Sequence, residues 1–249
     1  MAASKIKKTL SAILTATAML HAGAALASIS LSATRIVLLE KQQEASLIVR
    51  NEETPVLIQS WLESNSENDT GELPFAISPA LAKMLPKGQQ VMRILYAGGQ
   101  NDLPRDRETV VWLNVQEVPQ ASGEENHLQI AVRQRIKLFF RPAGLPGSAE
   151  QAPTDLQWSV VQKDGASMLQ IHNPSAFHVS MSLLKGAGKE LKSPGMVGPG
   201  QTRLLPFGLA GNTKLHFKAI SDYGSAESYE VQLAGGAQVL AKTVISTAE

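Results

Sequence analysis

The sequence predicts an all-β fold built from two β-sandwich domains, and three observations carry that expectation. Apolar and polar residues alternate in short runs, the period of a strand whose side chains point to opposite faces. Gly, Pro, Asn and Asp punctuate those runs, and helical stripes are scarce. The pattern stops at the Pro/Gly hinge Pro142-Ala-Gly-Leu-Pro-Gly147 and then starts again.

Residues 1–27 read as a leader outside the fold. Lys5, Lys7 and Lys8 form a positive start, an apolar stretch runs from Leu10 to Leu26, and Ala25-Leu26-Ala27 is an A-x-A cleavage site. Ser11, Thr15, Thr17 and His21 interrupt the stretch and no basic cluster follows, so a removed signal peptide fits better than a membrane anchor. Ser28–Glu40 is then a first strand, with Ile29, Leu31 and Ala33 on one face. Ala45–Arg50, Val56–Leu62, Phe75–Ser78, Gln90–Tyr96 and Glu108–Val118 follow. A turn at Asn51–Pro55 and polar loops at Glu63–Glu72, Ala97–Arg107 and Gln120–His127 separate them. With the long run described next, the first half has about seven strands, the number an immunoglobulin-like sandwich needs. After the hinge, Leu156–Val161, Ser167–Asn173, His178–Leu184, Gln201–Pro206, Lys214–Ser221 and Tyr229–Gln232 form a second, somewhat smaller sandwich. The expected domains are 28–142 and 143–249. Trp61, Trp112 and Trp158 are assigned to core or interdomain packing.

The chain is organised around Asn126–Pro142, NHLQIAVRQRIKLFFRP. Leu128, Ile130, Val132, Ile136, Leu138 and Phe140 share one face, broken only by Gln134. A typical strand has about 5–6 residues, and this alternation lasts from Leu128 to Arg141. Two readings fit: a strand that bends at Gln134 and serves one core in two halves, or a strand whose upstream end overhangs its core and pairs with a partner. Arg133 and Arg135 share the opposite face with Lys137 and read as solvated charge able to enlarge a positive field.

Composition narrows the function. The 249 residues, 43% hydrophobic, suit a soluble globular protein of one or two domains. Removing the three leader lysines takes the formal charge from +1 to −2, so nothing pulls the whole molecule towards nucleic acid or anionic lipid. The absence of cysteine excludes thiol catalysis and Cys-based zinc sites, and leaves an exported chain to rest on its core. His127, His172, His178 and His216 show no metal-ligand spacing and read as structural or surface. Gly186-Ala-Gly-Lys189-Glu190 lacks the parts of a phosphate loop, and no G-x-S-x-G elbow occurs. No catalytic residue, cofactor, metal or small-molecule substrate is therefore expected.

Several long segments, in order, resemble the periplasmic pilus (fimbrial) chaperone family of the chaperone–usher pathway. They are LQIAVRQRIKLFFRP, Pro86–Tyr96, Pro104–Pro119, Leu169–Ser180, Gly188–Gly200 and Lys218–Gly224. The resemblance implies two immunoglobulin-like sandwiches set at an angle, with a cleft between them. It implies that Arg35 and Lys137 grip the C-terminal carboxylate of a pilus subunit, and that Leu128, Ile130 and Val132 fill the groove of a subunit lacking its last strand. It matches Glu108, Arg141 and Asp222 to an interdomain ion-pair network. An outer-membrane usher is the second implied partner, and the free protein has a long strand that a homo-oligomer could cap. The short loop Gln120–His127 resembles the short-loop branch, linked to rod-like pili. Phe140 stands where a tyrosine is usual. The alternative is a secreted adhesin or structural pilus subunit, disfavoured because strand-like sequence begins at Ser28 and cysteine is absent.

Overall fold

The computed structural model of the protein describes residues 29–52, 54–65, 71–98, 103–119, 130–208, 212–234 and 239–243; the expected leader lies outside them. The first half contains β1 (Ile29–Leu31), β2 (Arg35–Leu39), β3 (Glu44–Asn51), β4 (Val56–Ser64), β5 (Phe75–Ser78), β6 (Leu81–Met84), β7 (Gln89–Tyr96), β8 (Thr109–Pro119) and β9 (Arg133–Arg141). These form two sheets, in the orders β1-β3-β7-β5 and β2-β9-β8-β4-β6. All pairs are antiparallel except β2 with β9. Leu38, Leu47, Ile58, Ile94, Leu113 and Leu138 fill the space between the sheets. Phe140 is also buried there, 4.2 Å from the Tyr96 ring and 5.8 Å from Phe75. The ring alone does the packing.

The second half contains β10 (Gln157–Lys163), β11 (Ala166–His172), β12 (Val179–Gly186), β13 (Lys189–Val197), β14 (Thr202–Leu205), β15 (Lys214–Ile220), β16 (Ala226–Gln232), β17 (Val239–Leu240) and β18 (Lys242–Thr243). Its sheets run β14-β11-β10-β17 and β13-β12-β15-β16-β18. A separate core gathers around Trp158, 4.9 Å from Phe217, which stacks on Tyr229 at 5.0 Å. The molecule is thus all-β, with two immunoglobulin-like sandwiches and two cores.

Four expectations need correction. Ser28–Glu40 is not one strand. The chain leaves β1 in one sheet and enters β2 in the other, and Ser32 ties the crossing to Ile48 through both its backbone and its hydroxyl. The buried face moves with the crossing, from Ile29 to Ile36 and Leu38. Edge strands β6 and β13 were not expected. β6 is only four residues long, and β13 contains Pro194 and Gly195, a pattern that reads as turn; a register shift on its partner β12 between Met181 and Leu183 accommodates them. Trp61 and Trp112 are not core residues, since both lie on the outer face of the β2-to-β6 sheet beside arginines. Finally, among the described residues of the long run, the ladder-paired part is Arg133–Arg141.

Candidate functional site

The site begins with the alternation along β9. Leu138 and Phe140 point into the first core, and Ile136 packs at its margin. At Gln134 the inward face changes character: its Nε2 donates to the Ile29 carbonyl at 3.0 Å, across the end of the sandwich. Beyond Gln134 the same face continues with Val132, 38% exposed, and Ile130, 66% exposed. Those two cannot be serving the core, so the strand overhangs it. Leu128 lies outside the described residues. Val132 keeps a backbone bond to Glu117 at 3.0 Å, while β2 pairs with β9 only from Lys137 to Arg141. Among the described residues, the edge from Arg133 to Ile136 that faces away from β8 has no ladder partner.

The last paired row holds two cations. Arg35 on β2 is in register with Lys137 on β9. Both reach the second domain: Arg35 Nη1 donates to the Ile220 carbonyl at 2.9 Å, and Lys137 Nζ donates to Ser180 Oγ at 3.4 Å. Arg35 Nε is buried without a hydrogen-bond partner among the described residues. Burial pushes the Arg35 guanidinium below its ordinary value, against the pull of Asp222 and Glu108. Burial and then repulsion from Arg35 hold the Lys137 ammonium below the usual lysine range. Two desolvated like charges without a carboxylate between them form an incomplete electrostatic arrangement, and an anion would complete it.

Beside them a network joins the domains. Glu108 Oε2 accepts Arg141 Nε at 3.0 Å and Nη2 at 2.7 Å, and Arg141 reaches Asp222 through Nη1 at 2.7 Å and Nη2 at 3.1 Å. Burial works to lower the Arg141 pKa, but hydrogen bonds and charge from Asp222 and Glu108 leave it raised. Asp222 comes from the β15–β16 turn, where Gly224 (φ +86°) adopts a left-handed conformation and lies close to Thr34; a Cβ there would lie 2.6 Å from Thr34 Oγ1. A cavity of about 310 Å³ opens at this junction, lined by Arg35, Glu108, Arg141, His178, Asp222 and Tyr229 among others.

Comparison with known proteins decides the family. The model described as "Pili and flagellar-assembly chaperone, PapD N-terminal domain" matches residues 28–146. The model described as "Pili assembly chaperone PapD, C-terminal domain" matches residues 151–231. The chain belongs to the pilus-assembly chaperone family. The chaperone is 38% identical over 206 residues to "Chaperone protein LpfB" of Salmonella typhimurium, covering 80% of this chain and 85% of that one. "Probable fimbrial chaperone YadV" of Escherichia coli K12 is 33% identical over 226 residues, 84% of this chain and 92% of that one. A crystal structure of the YadV chaperone superposes with a TM-score of 0.71 at 32% identity, over 83% of this chain and 100% of that chain. The structure of the Salmonella enterica SafA pilin in complex with the SafB chaperone matches at 27% identity and TM-score 0.71, over 84% of this chain and 97% of that chain.

Three parts of the chaperone's site were not legible in its sequence. His178 joins the ion-pair network, donating its backbone N–H to Glu108 Oε1 at 3.0 Å and placing Nδ1 2.8 Å from the same oxygen. Ser180 contacts Lys137 from 43 residues away. No local pattern marks either, because the partners meet only when the domains do. The third is the outer-face ladder. Arg135 lies 4.3 Å from the Trp112 ring centre, Lys137 5.4 Å from it, and Arg133 6.0 Å from that of Trp61. Glu63 reaches Arg135 at 3.3 Å and Arg133 at 3.9 Å. A hydrogen bond from Trp61 is the main cause holding the Glu63 carboxyl below its usual range. Arg133 and Arg135 are therefore matched to a carboxylate and aromatic rings, and Arg35 and Lys137 remain the cations without an ion-pair partner within 4 Å at this site, among the described residues.

Proposed function

We propose that this chaperone acts in the periplasm, after removal of residues 1–27, by capping pilus subunits that lack a strand. The upstream end of the long run, Leu128 to Val132, adds a strand to the subunit's open sheet, and its side chains enter the apolar groove. The observation that carries this reading is the coincidence of the overhang with the cation pair. β9 loses its β2 partner at the row where Arg35 and Lys137 face each other without a carboxylate.

Each exposed apolar anchor contributes roughly 1.5–3 kcal/mol when buried, before ordering costs. Apolar contact alone leaves register loose, because a slip of two residues restores the same face. A terminal carboxylate held by Arg35 and Lys137 makes charge-assisted hydrogen bonds and sets where the subunit docks. Glu108, Arg141 and Asp222 fix the angle between units 28–142 and 143–249. The SafA pilin complex of a relative supports pilus subunits as partners. Delivery follows at an outer-membrane usher, where the next subunit's own extension replaces the lent strand. The short-loop branch and a self-capped oligomer of the free protein belong to the same reading.

Co-expression with a pilus subunit tests it. The wild-type chaperone should co-purify with the subunit in equal amounts, and Lys137→Ala should abolish the complex while leaving the chaperone folded. Unchanged recovery with Lys137→Ala, or with a subunit extended beyond its natural C-terminus, would overturn the carboxylate clamp.

A further inference from the structure

We infer that Ser180 is a third hydrogen-bond donor to the subunit carboxylate, supplied by the second domain; this rests on the carboxylate-clamp reading above. Ser180 sits on β12 between Val179 and Met181, both buried in the second core. Its own side chain faces the first domain, 4% exposed, with Oγ 3.4 Å from Lys137 Nζ. An ammonium only donates, so in that contact the serine oxygen accepts. The hydroxyl's single proton then has no acceptor among the described bonds. A buried donor left unmatched is costly, and an apolar residue would serve packing alone better. An acceptor within reach of both Ser180 Oγ and Lys137 Nζ occupies the place the clamp assigns to the carboxylate.

The same geometry gives the second domain a share in recognition. Arg35 is held by the Ile220 carbonyl of β15 and Lys137 by the Ser180 hydroxyl of β12, so both clamp cations are oriented by the second domain. The receptor for the carboxylate is complete only at the interdomain angle seen here. A serine that merely steadies Lys137 would act through the lysine alone; a serine that donates to the carboxylate contributes even when the lysine is gone.

The test uses a synthetic peptide of alternating valine and threonine with a free C-terminal carboxylate, and its amidated twin, titrated against the full-length chaperone. Ser180→Thr and Ser180→Val have similar shape and differ in the hydroxyl, so the packing change is shared. The valine variant should lose roughly tenfold to a hundredfold of the acid-over-amide preference, and the threonine variant should keep it. In a Lys137→Met background the valine change should still lower what preference remains. Wild-type discrimination with equal preference in the two Ser180 variants overturns this inference and leaves the clamp standing. No effect of Ser180→Val in the Lys137→Met background also overturns it, assigning Ser180 to positioning only. A wild-type protein indifferent to acid and amide overturns the clamp and this inference together.

Discussion

Lys137 shows how a single charge can sit where burial and a like charge disfavour it. Its ammonium is partly buried, near Arg35, with one long hydrogen bond and the Trp112 ring as its recorded company. Lys137→Met should therefore leave the free protein at least as stable; a gain of about 1 kcal/mol would appear as about 2–4 °C in Tm, measured calorimetrically. The same variant should bind a pilus subunit far more weakly. The depressed lysine pKa also fixes the sign of the pH dependence. The group must be charged to hold a carboxylate, so affinity is full below that pKa and falls as pH rises through it, earlier than for an ordinary lysine. At the acid end affinity falls as the partner's terminal carboxyl titrates, near about 3.3–3.7. Titrating affinity against pH should show Lys137→Arg removing the alkaline limb alone. At this scale the sequence marked residues only where a resemblance pointed: Arg35 and Lys137, which the structure places in one row, and Glu108, Arg141 and Asp222, which it bonds together. His178 and Ser180 were hidden because their partners lie 70 and 43 residues away.

Strand β9 carries the most information of any element, and most of it could be read in advance. Period-two alternation gave its two faces, and its excess length left a bent strand and an overhang both open; the exposures of Ile130 and Val132 favour the overhang. Gln134, which looked like an interruption, marks where the core ends and the overhang starts. Strands β6 and β13 were illegible because edge strands tolerate the Pro, Gly and short length that read as turns. The break between β1 and β2 went unread because both halves alternate, and the change of sheet shows only as a shift in the parity of the buried positions, from Ile29 to Ile36 and Leu38. Ile130→Ser and Val132→Ser should each change stability by no more than about 0.5 kcal/mol in chemical denaturation. Each should weaken subunit capture by roughly 1.5–3 kcal/mol in a competition assay. A loss of stability comparable to the loss of binding would place these side chains in the chaperone's own core.

In the whole molecule, two independent cores meet at a polar junction. Arg141 bonds both carboxylates there, so Arg141→Ala leaves Glu108 and Asp222 without their shared cation. Breaking a buried pair in this way costs about 3–5 kcal/mol, and solution scattering should show a changed interdomain angle. An unchanged scattering profile would assign the network to stability alone. Because Arg35 and Lys137 both lean on the second domain, the same variant should also weaken carboxylate recognition. The central claim is that an open strand edge next to a cation pair receives another protein's strand. Backbone hydrogen exchange across residues 128–136, measured with and without a bound pilus subunit, tests it most directly. The amides there that face away from β8 should exchange fast in the free chaperone and slow strongly in the complex, with Arg35 and Lys137 required for the slowing. Equal exchange in the two states, with a subunit bound, would contradict the account.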